Sequence, residues 1–343
     1  MKIALATDAW EPQISGVVTT LNQTVRQLEA LGHKVFGIHP GLFFNFPCPT
    51  YPQIRLAAYP RLQVGRLLRR FAPDCVHIVT EGPIGLACRQ FCRRNRLRFT
   101  TSFTTRFDEY VGMRLRVPSR IIFNMMRWFH AASSRVMVAT QPLKEELAQK
   151  GFSNTVIWPR GVDTHLFCMR EKSFLPYPRP IFLYVGRVAV EKNIEVFLGL
   201  ELPGTKVVVG DGPQLPELRA AYPDVRFTGA RQGEALARTF GAADAFVFPS
   251  RTDTFGIVML EAMASGLPVV GYPVRGPVDI VRHGETGYLD HDLRRAAMEA
   301  LNLDPAACRR FAERFSWQRS AEVFVQNLVP AGLSAAAETG QAA

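Results

Sequence analysis

PSRTDTFGIVMLEAMASGLPVV, residues 249–270, is the stretch whose reading decides the fold. Before it, AFVFPS (245–250) is a short apolar run suited to a fully buried strand, and PVVGYPV (268–274) is another. Between them IVMLEAMASG (257–266) reads as a helix closed by Gly266. Strand, turn, helix and strand make a βαβ unit, the crossover that parallel strands require. RTDTFG (251–256) is the turn at the first strand's carboxyl end. Asp253 stands in that turn, and Glu261 lies one turn into the helix between Leu260 and Ala262. A carboxylate among apolar residues needs partners. Sugar hydroxyls would supply them, and so would a place on the wet face of the helix. Phe255, Gly256 and Ile257 offer backbone N–H groups at a helix N-terminus, a seat for phosphate.

The same alternation runs outward in both directions. IFLYVGR (181–187), TKVVVGDGP (205–213) and VRFTGA (225–230) are further strands, with helices expected near 191–200, 214–221 and 232–241. The first half repeats the pattern. KIALATD, KVFGIHP, DCVHIVT, RFTTSFTT and RVMVAT are strands, and the helices are centred on 19–33, 63–71, 84–97, 119–133 and 141–151. Apolar strands alternating with amphipathic helices predict parallel sheets covered on both faces. EKSFLPYPRP (171–180) has three prolines in ten residues and reads as a linker. The expectation is two doubly wound α/β domains, residues 1–170 and 181–330, with a disordered low-complexity tail at 331–343.

Composition narrows the function classes. Of 343 residues 47% are hydrophobic and 21% charged, values of a soluble globular protein. No run reaches ~18 uncharged apolar residues, so no membrane-spanning helix is expected. The start, MKIALATDAWEP, reads as a strand and not as a signal peptide. Six scattered cysteines fit free thiols in a reducing cytoplasm, and no second pair completes a zinc site with Cys88 and Cys92. Residues 1–175 carry 24 Lys and Arg against 11 Asp and Glu, whereas 176–343 carry 17 against 19. A basic half beside a neutral half implies an anionic partner for the first half. No nucleic-acid reader motif accompanies the charge, which disfavours DNA and RNA.

Two more turns carry chemistry. In YVGRVAVEKNIEVFL (184–198), Arg187 follows Gly186 and Lys192 lies five residues on. Two cations at a strand-to-helix turn suit a diphosphate. A solvated Arg and a helix-start Lys fit that stretch equally well. In DAWEPQISGVVTTLN (8–22), Gly16 opens a helix where a ligand can approach the backbone, although a plain βα turn would look the same. It is not a Walker loop, because the Gly-Lys-Ser/Thr ending is missing.

GRVAVEKNI (186–194), VGDGP, the 249–270 stretch and GETGYL (284–289) stand in order. Together they resemble the retaining family-four, group 1 glycosyltransferases. WPRGVDTHLF (158–167) is similar to the segment closing that family's first domain. The spelling around TDTFG resembles the branch of GDP-mannose-dependent mannosyltransferases and sulfoquinovosyl-diacylglycerol synthase. The resemblance implies a GT-B fold, two Rossmann-like domains facing a cleft, with acceptor bound by the first and nucleotide sugar by the second. It implies that Glu261 holds the ribose, that Asp253 (where Glu is commoner) lies near the transferred sugar, and that Arg187 and Lys192 neutralise the donor diphosphate. Gly16, Gly186, Gly229, Phe255, Gly256 and Ile257 complete the implied donor site. No metal or other cofactor is implied, and the donor is a UDP-sugar or GDP-mannose.

One departure bears on mechanism. Thr104 in TTSFTTRFDEY (100–110) stands where the family places His. A Thr can donate a hydrogen bond but is no base at neutral pH. Front-side attack, in which the departing phosphate takes the acceptor's proton, survives this change.

The basic segments 61–70, 88–98 and 114–135 mix Arg with apolar and aromatic residues. Arg120, Arg127, Trp128 and Phe129 are expected near the surface of one amphipathic helix, a composition that grips anionic membranes. A charged helix face over a core stripe would read alike. The expectation is a monomeric cytoplasmic enzyme, peripheral on the inner face of the cell membrane. It would move a hexose to a lipid or lipid-linked glycan. Alternatives are a soluble glycan mannosyltransferase using GDP-mannose, or a catalytically weakened sugar-nucleotide binder. An epimerase of the same fold is disfavoured by the acid–seven–acid helix.

Overall fold

The computed structural model describes residues 1–13, 15–48, 51–104, 118–251, 253 and 255–332. It divides into two units, Met1–Pro159 with Trp317–Ala343, and Arg160–Ser316. Each contains a six-stranded parallel sheet between helices.

In the first unit the sheet order is β2 (Lys34–Ile38), β1 (Lys2–Ala6), β5 (Cys75–Ile78), β6 (Thr100–Ser102), β7 (Arg135–Val138) and β8 (Thr155–Ile157). Its helices are α1 (Gly16–Ala30), α2 (Arg61–Phe71), α3 (Pro83–Arg94), α4 (Ser119–His130) and α5 (Gln141–Gln149). Side chains on a strand alternate between faces, and β1 shows it. Ile3 and Leu5 pack with Leu21, Leu28, Trp158 and Phe324, while Ala4 and Ala6 pack with Val64, Ile84, Phe91 and Phe129. Both faces are apolar because both are covered. A hairpin of β3 (Asn45–Cys48) and β4 (Tyr51–Ala57) is inserted between β2 and α2, an element the periodicity does not announce.

The second unit has the order β11 (Arg226–Phe227), β10 (Thr205–Val209), β9 (Ile181–Val185), β12 (Ala245–Phe248), β13 (Val269–Gly271) and β14 (Gly287–Leu289). Its helices are α6 (Ile194–Leu198), α7 (Leu215–Ala221), α8 (Gly233–Ala242), α9 (Ile257–Ala264), α10 (Pro277–Ile280), α11 (Leu293–Ala300) and α12 (Pro305–Ala312). β9, first in sequence, lies centrally beside β12, so strand order reverses between them. Such a switch point opens a crevice at the strands' carboxyl ends.

The unit boundaries differ from those expected. The chain leaves the first unit after Pro159, and its last helix, α13 (Trp317–Asn327), rejoins that unit instead of closing the second. Phe324 sits 4.9 Å from Trp158, ring to ring, and Ser320 Oγ donates to the Pro159 carbonyl at 2.7 Å. The apolar stripe of α13 is buried here because β1 and β5 leave a face for it. The proline-rich 171–180 stretch belongs to the second unit. Asp244 fastens it, taking Lys172 Nζ at 2.6 Å, Arg179 Nη2 at 2.5 Å and the Ile181 amide at 2.8 Å. Of the tail, residues 333–343 lie outside the described residues.

Candidate functional site

The loops after β9 and β12 meet at the switch point of the second unit. A one-turn 3-10 helix, Val190–Lys192, presents Lys192, whose Nζ lies 2.5 Å from Asp253 Oδ2. Asn193, held left-handed at φ 53°, donates from Nδ2 to the Pro249 carbonyl at 3.1 Å. Two bonds thus lock one loop to the other. Arg187 Nη1 stands 3.7 Å from Glu191 Oε1, a buried carboxylate. Tyr184, next to last in β9, donates to the Arg187 carbonyl at 2.8 Å. Burial holds its phenol well above the usual range. The sequence pattern singled out Arg187, Lys192 and Asp253, which the structure brings to the same two loops. It did not single out their neighbours Tyr184 and Glu191, because a buried acid beside an exposed-looking lysine has no signature of its own.

Close backbone packing shapes the floor. A Cβ on Gly210 would lie 1.8 Å from the Gly186 carbonyl oxygen, so no side chain fits. The Gly210 amide donates to the Gly229 carbonyl, and the Gly186 amide to Val209, both at 3.0 Å. The ends of β9, β10 and β11 are therefore drawn together by glycines. Above β12, Gly256 caps α9 at φ 82°, ψ 64°, a left-handed conformation that favours glycine, with Phe255 buried at its side. Ile257 is the first residue of α9, and Glu261 faces partly outward one turn later. Among the described residues no side chain pairs with the Glu261 carboxylate. Removal of the carboxyl from water pushes it up to about 7. Arg251, another cation of this loop, lies over the Tyr272 ring at 4.3 Å.

The remaining assigned residues belong to the first unit. Gly16 is the first residue of α1, capped by Ser15, and open space surrounds the position its Cβ would take. Thr104 follows β6, and residues 105–117 of the adjoining motif lie outside the described residues. At this unit's own switch point, between β1 and β5, Asp8 accepts from the Ile84 and Gly85 amides at 2.9 and 3.3 Å and from Thr80 Oγ1 at 3.0 Å. Burial raises Asp8 to about 6 in spite of these bonds. Beside it Glu81 Oε1 lies 3.0 Å from His130 Nε2, and His130 Nδ1 lies 2.9 Å from Thr101 Oγ1. Separation in sequence hid this buried chain of polar groups.

α4 corrects one expectation. Arg120, Arg127 and Trp128 are exposed, but Phe129 is 2% exposed and belongs to the core beside Phe91 and Phe99. A helix turns 100° per residue, so Phe129 follows Ile122 and Met126 inward. No helix among the described residues is long and apolar enough to cross a membrane.

Two Rossmann-like parallel-sheet units are the architecture of the GT-B glycosyltransferases, and the comparisons agree. Residues 179–303 match the family model "Glycosyl transferases group 1", and residues 14–166 match "Glycosyltransferase Family 4". The chain is 30% identical over 317 residues to a GDP-mannose-dependent alpha-mannosyltransferase of Mycolicibacterium smegmatis, covering 84% of each. It is 25% identical over 370 residues to alpha-monoglucosyldiacylglycerol synthase of Streptococcus pneumoniae, covering 94% of this chain and 83% of that one. Sucrose-phosphate synthase of Thermosynechococcus elongatus shares the fold, with TM-score 0.74, 23% identity and coverage of 95% and 97%. The chain belongs to the group 1, family 4 glycosyltransferases. It is a glycosyltransferase that uses a nucleotide sugar.

Proposed function

We propose that the protein transfers a hexose, with retention, from a nucleoside diphosphate sugar to a lipid or lipid-linked glycan at a membrane surface. The observation that carries this reading is the Lys192–Asp253 pair beside Arg187 at the switch point. As the bond from the sugar's C1 to the donor phosphate breaks, negative charge gathers on the diphosphate. Arg187 and Lys192 stabilise that charge, and because it grows during the step they favour the transition state over bound donor. The acceptor oxygen bonds to C1 on the same face, and its proton passes to the departing phosphate oxygen. No protein base is required, which accommodates Thr104. Metal independence belongs to the same proposal, since the two cations supply the charge.

Glu261 takes the ribose hydroxyls, Asp253 the sugar, and the N–H groups around Phe255, Gly256 and Ile257 the phosphate. Gly186 and Gly229 line the donor, and Gly16 leaves the backbone of the first unit, which carries the acceptor, open to a ligand. GDP-mannose is supported as donor by the mannosyltransferase relative, and a glycerolipid acceptor by the glucosyldiacylglycerol synthase. A monomer, peripheral on the cytoplasmic face of the membrane, completes the reading.

The test is incubation with radiolabelled GDP-mannose or UDP-glucose and a bacterial lipid extract, followed by organic extraction. Label in the organic phase supports the proposal. Label only in water-soluble glycan favours the soluble mannosyltransferase, and intact nucleotide binding without transfer favours a binder.

A further inference from the structure

A groove of about 600 Å³ runs along α3 in the first unit. Arg61 of α2, Arg89, Arg93 and Arg94 of α3, Leu86 and Trp128 line it, and among the described residues no acid does. Arg89 forms its floor. It is 5% exposed, its Nε and Nη2 donate at 2.9 Å to the carbonyls of Phe129 and Trp128, and its guanidinium lies 3.8 Å from the centre of the Trp128 indole. These bonds satisfy carbonyls at the end of α4 and fix the indole at the groove wall. Among the described residues none of the four arginines has an ion-pair partner. The first unit holds 22 Lys and Arg against 11 Asp and Glu, the second 19 against 19. Four uncompensated guanidiniums around one concavity call for an anion, and Arg forks match phosphate oxygens.

The rim says which anion. α4 has two apolar stripes. Ile122, Met126 and Phe129 are buried, whereas Ile121, Met125 and Trp128 are 61%, 56% and 53% exposed. The exposed stripe has the i, i+4, i+7 spacing of a single helix face and ends at the groove. Tyr59 and Leu62, beside Arg61, are 97% and 74% exposed. A soluble phosphate or a nucleic acid leaves such a rim in water, whereas a lipid buries it among acyl chains.

We propose that this groove binds the phosphate-bearing headgroup of an anionic membrane lipid, with the Ile121–Met125–Trp128 stripe entering the acyl region. The proposal rests on the membrane-surface reading of function and names the partner. The groove belongs to the first unit, whereas the residues proposed to bind donor belong to the second.

The test is sedimentation with phosphatidylglycerol-containing or pure phosphatidylcholine vesicles. Arg93→Gln with Arg94→Gln should weaken binding to the acidic vesicles roughly 30-fold, at about fivefold per basic side chain. Arg26→Gln with Lys34→Gln removes the same charge from exposed sites outside the groove and should change binding less than twofold. Trp128→Ser should weaken binding without altering net charge. Equal losses in the two double variants would overturn the groove in favour of diffuse attraction. So would equal sedimentation of the unsubstituted protein with both vesicle types, or none with either. Nucleotide affinity, measured by calorimetry on the same preparation, reports separately on the donor site.

Discussion

Lys192 and Asp253, 61 residues apart, meet at 2.5 Å and join the loops that follow the two central strands of the second unit. The lysine's charge is held by a carboxylate. In the proposed transfer the same ammonium would also answer the donor diphosphate, whose charge grows as the sugar leaves.

Lys192→Ala should therefore lower kcat far more than it raises KM. Loss of one donor to a developing anion costs about 10²–10³ in rate. Steady-state kinetics decides: an unchanged kcat with a raised KM would assign Lys192 to uniform binding.

If Glu261 takes the ribose hydroxyls as proposed, nucleotide binding should depend on pH. Its carboxyl is raised to about 7 by burial, so ionisation is incomplete near neutrality. Ribose hydroxyls donate best to the ionised form. Affinity should be high above pH 7 and fall as pH drops through that value. Glu261→Gln should flatten the profile, and Glu261→Ala should cost about 1.5–3 kcal/mol at pH 8. For the ligand-free protein the sign reverses. The folded state holds this proton longer than the unfolded chain, so stability declines as pH rises from the ordinary carboxylate range to about 7. Calorimetric titration across pH 6–8 checks the binding half, and urea unfolding over pH 5–8 checks the other.

Asp8 stabilises the first unit from the end of β1. Asp8→Ala would strip the Ile84 and Gly85 amides and the Thr80 hydroxyl of their acceptor at the start of α3. The expected loss is about 1–3 kcal/mol. Urea unfolding of the variant, with unchanged nucleotide affinity, would place the effect in the fold.

Gly16 and Gly210 should respond oppositely to a methyl group. Gly210→Ala drives a Cβ into the Gly186 carbonyl and should cost at least about 1–3 kcal/mol, since backbone must shift. Gly16→Ala meets nothing within 4 Å and gains helix propensity, so stability should hold or rise by up to ~1 kcal/mol. If a ligand approaches Gly16, kcat/KM falls all the same. Thermal melts paired with activity assays separate the two, and undiminished activity in Gly16→Ala would remove it from the site.

Local pattern was enough for the architecture. Strands buried on both faces are continuous apolar runs, α1 is amphipathic, and α9 is apolar nearly all round and closed by Gly266, so β1, β9, β12, α1 and α9 are legible from a few neighbouring residues. The motif residues of the strand-end loops, Arg187, Lys192 and Asp253, and Glu261 in the helix that follows, stood out for the same reason, because a strand, turn and helix are a local event. What needed tertiary structure depends on distant partners. The hairpin at 45–57 is short and interrupted by proline, and no periodicity marks it. α13 joins the first unit because Trp158 and Phe324 pack there, 166 residues apart. Which of α4's two apolar stripes is buried was undecidable from the helix alone, since both have helical spacing; the core took Phe129 and left Trp128 outside. The pairing of Lys192 with Asp253, the raised Glu261 and the Asp8 cap arise only when folding removes these groups from water and brings remote atoms within hydrogen-bonding reach.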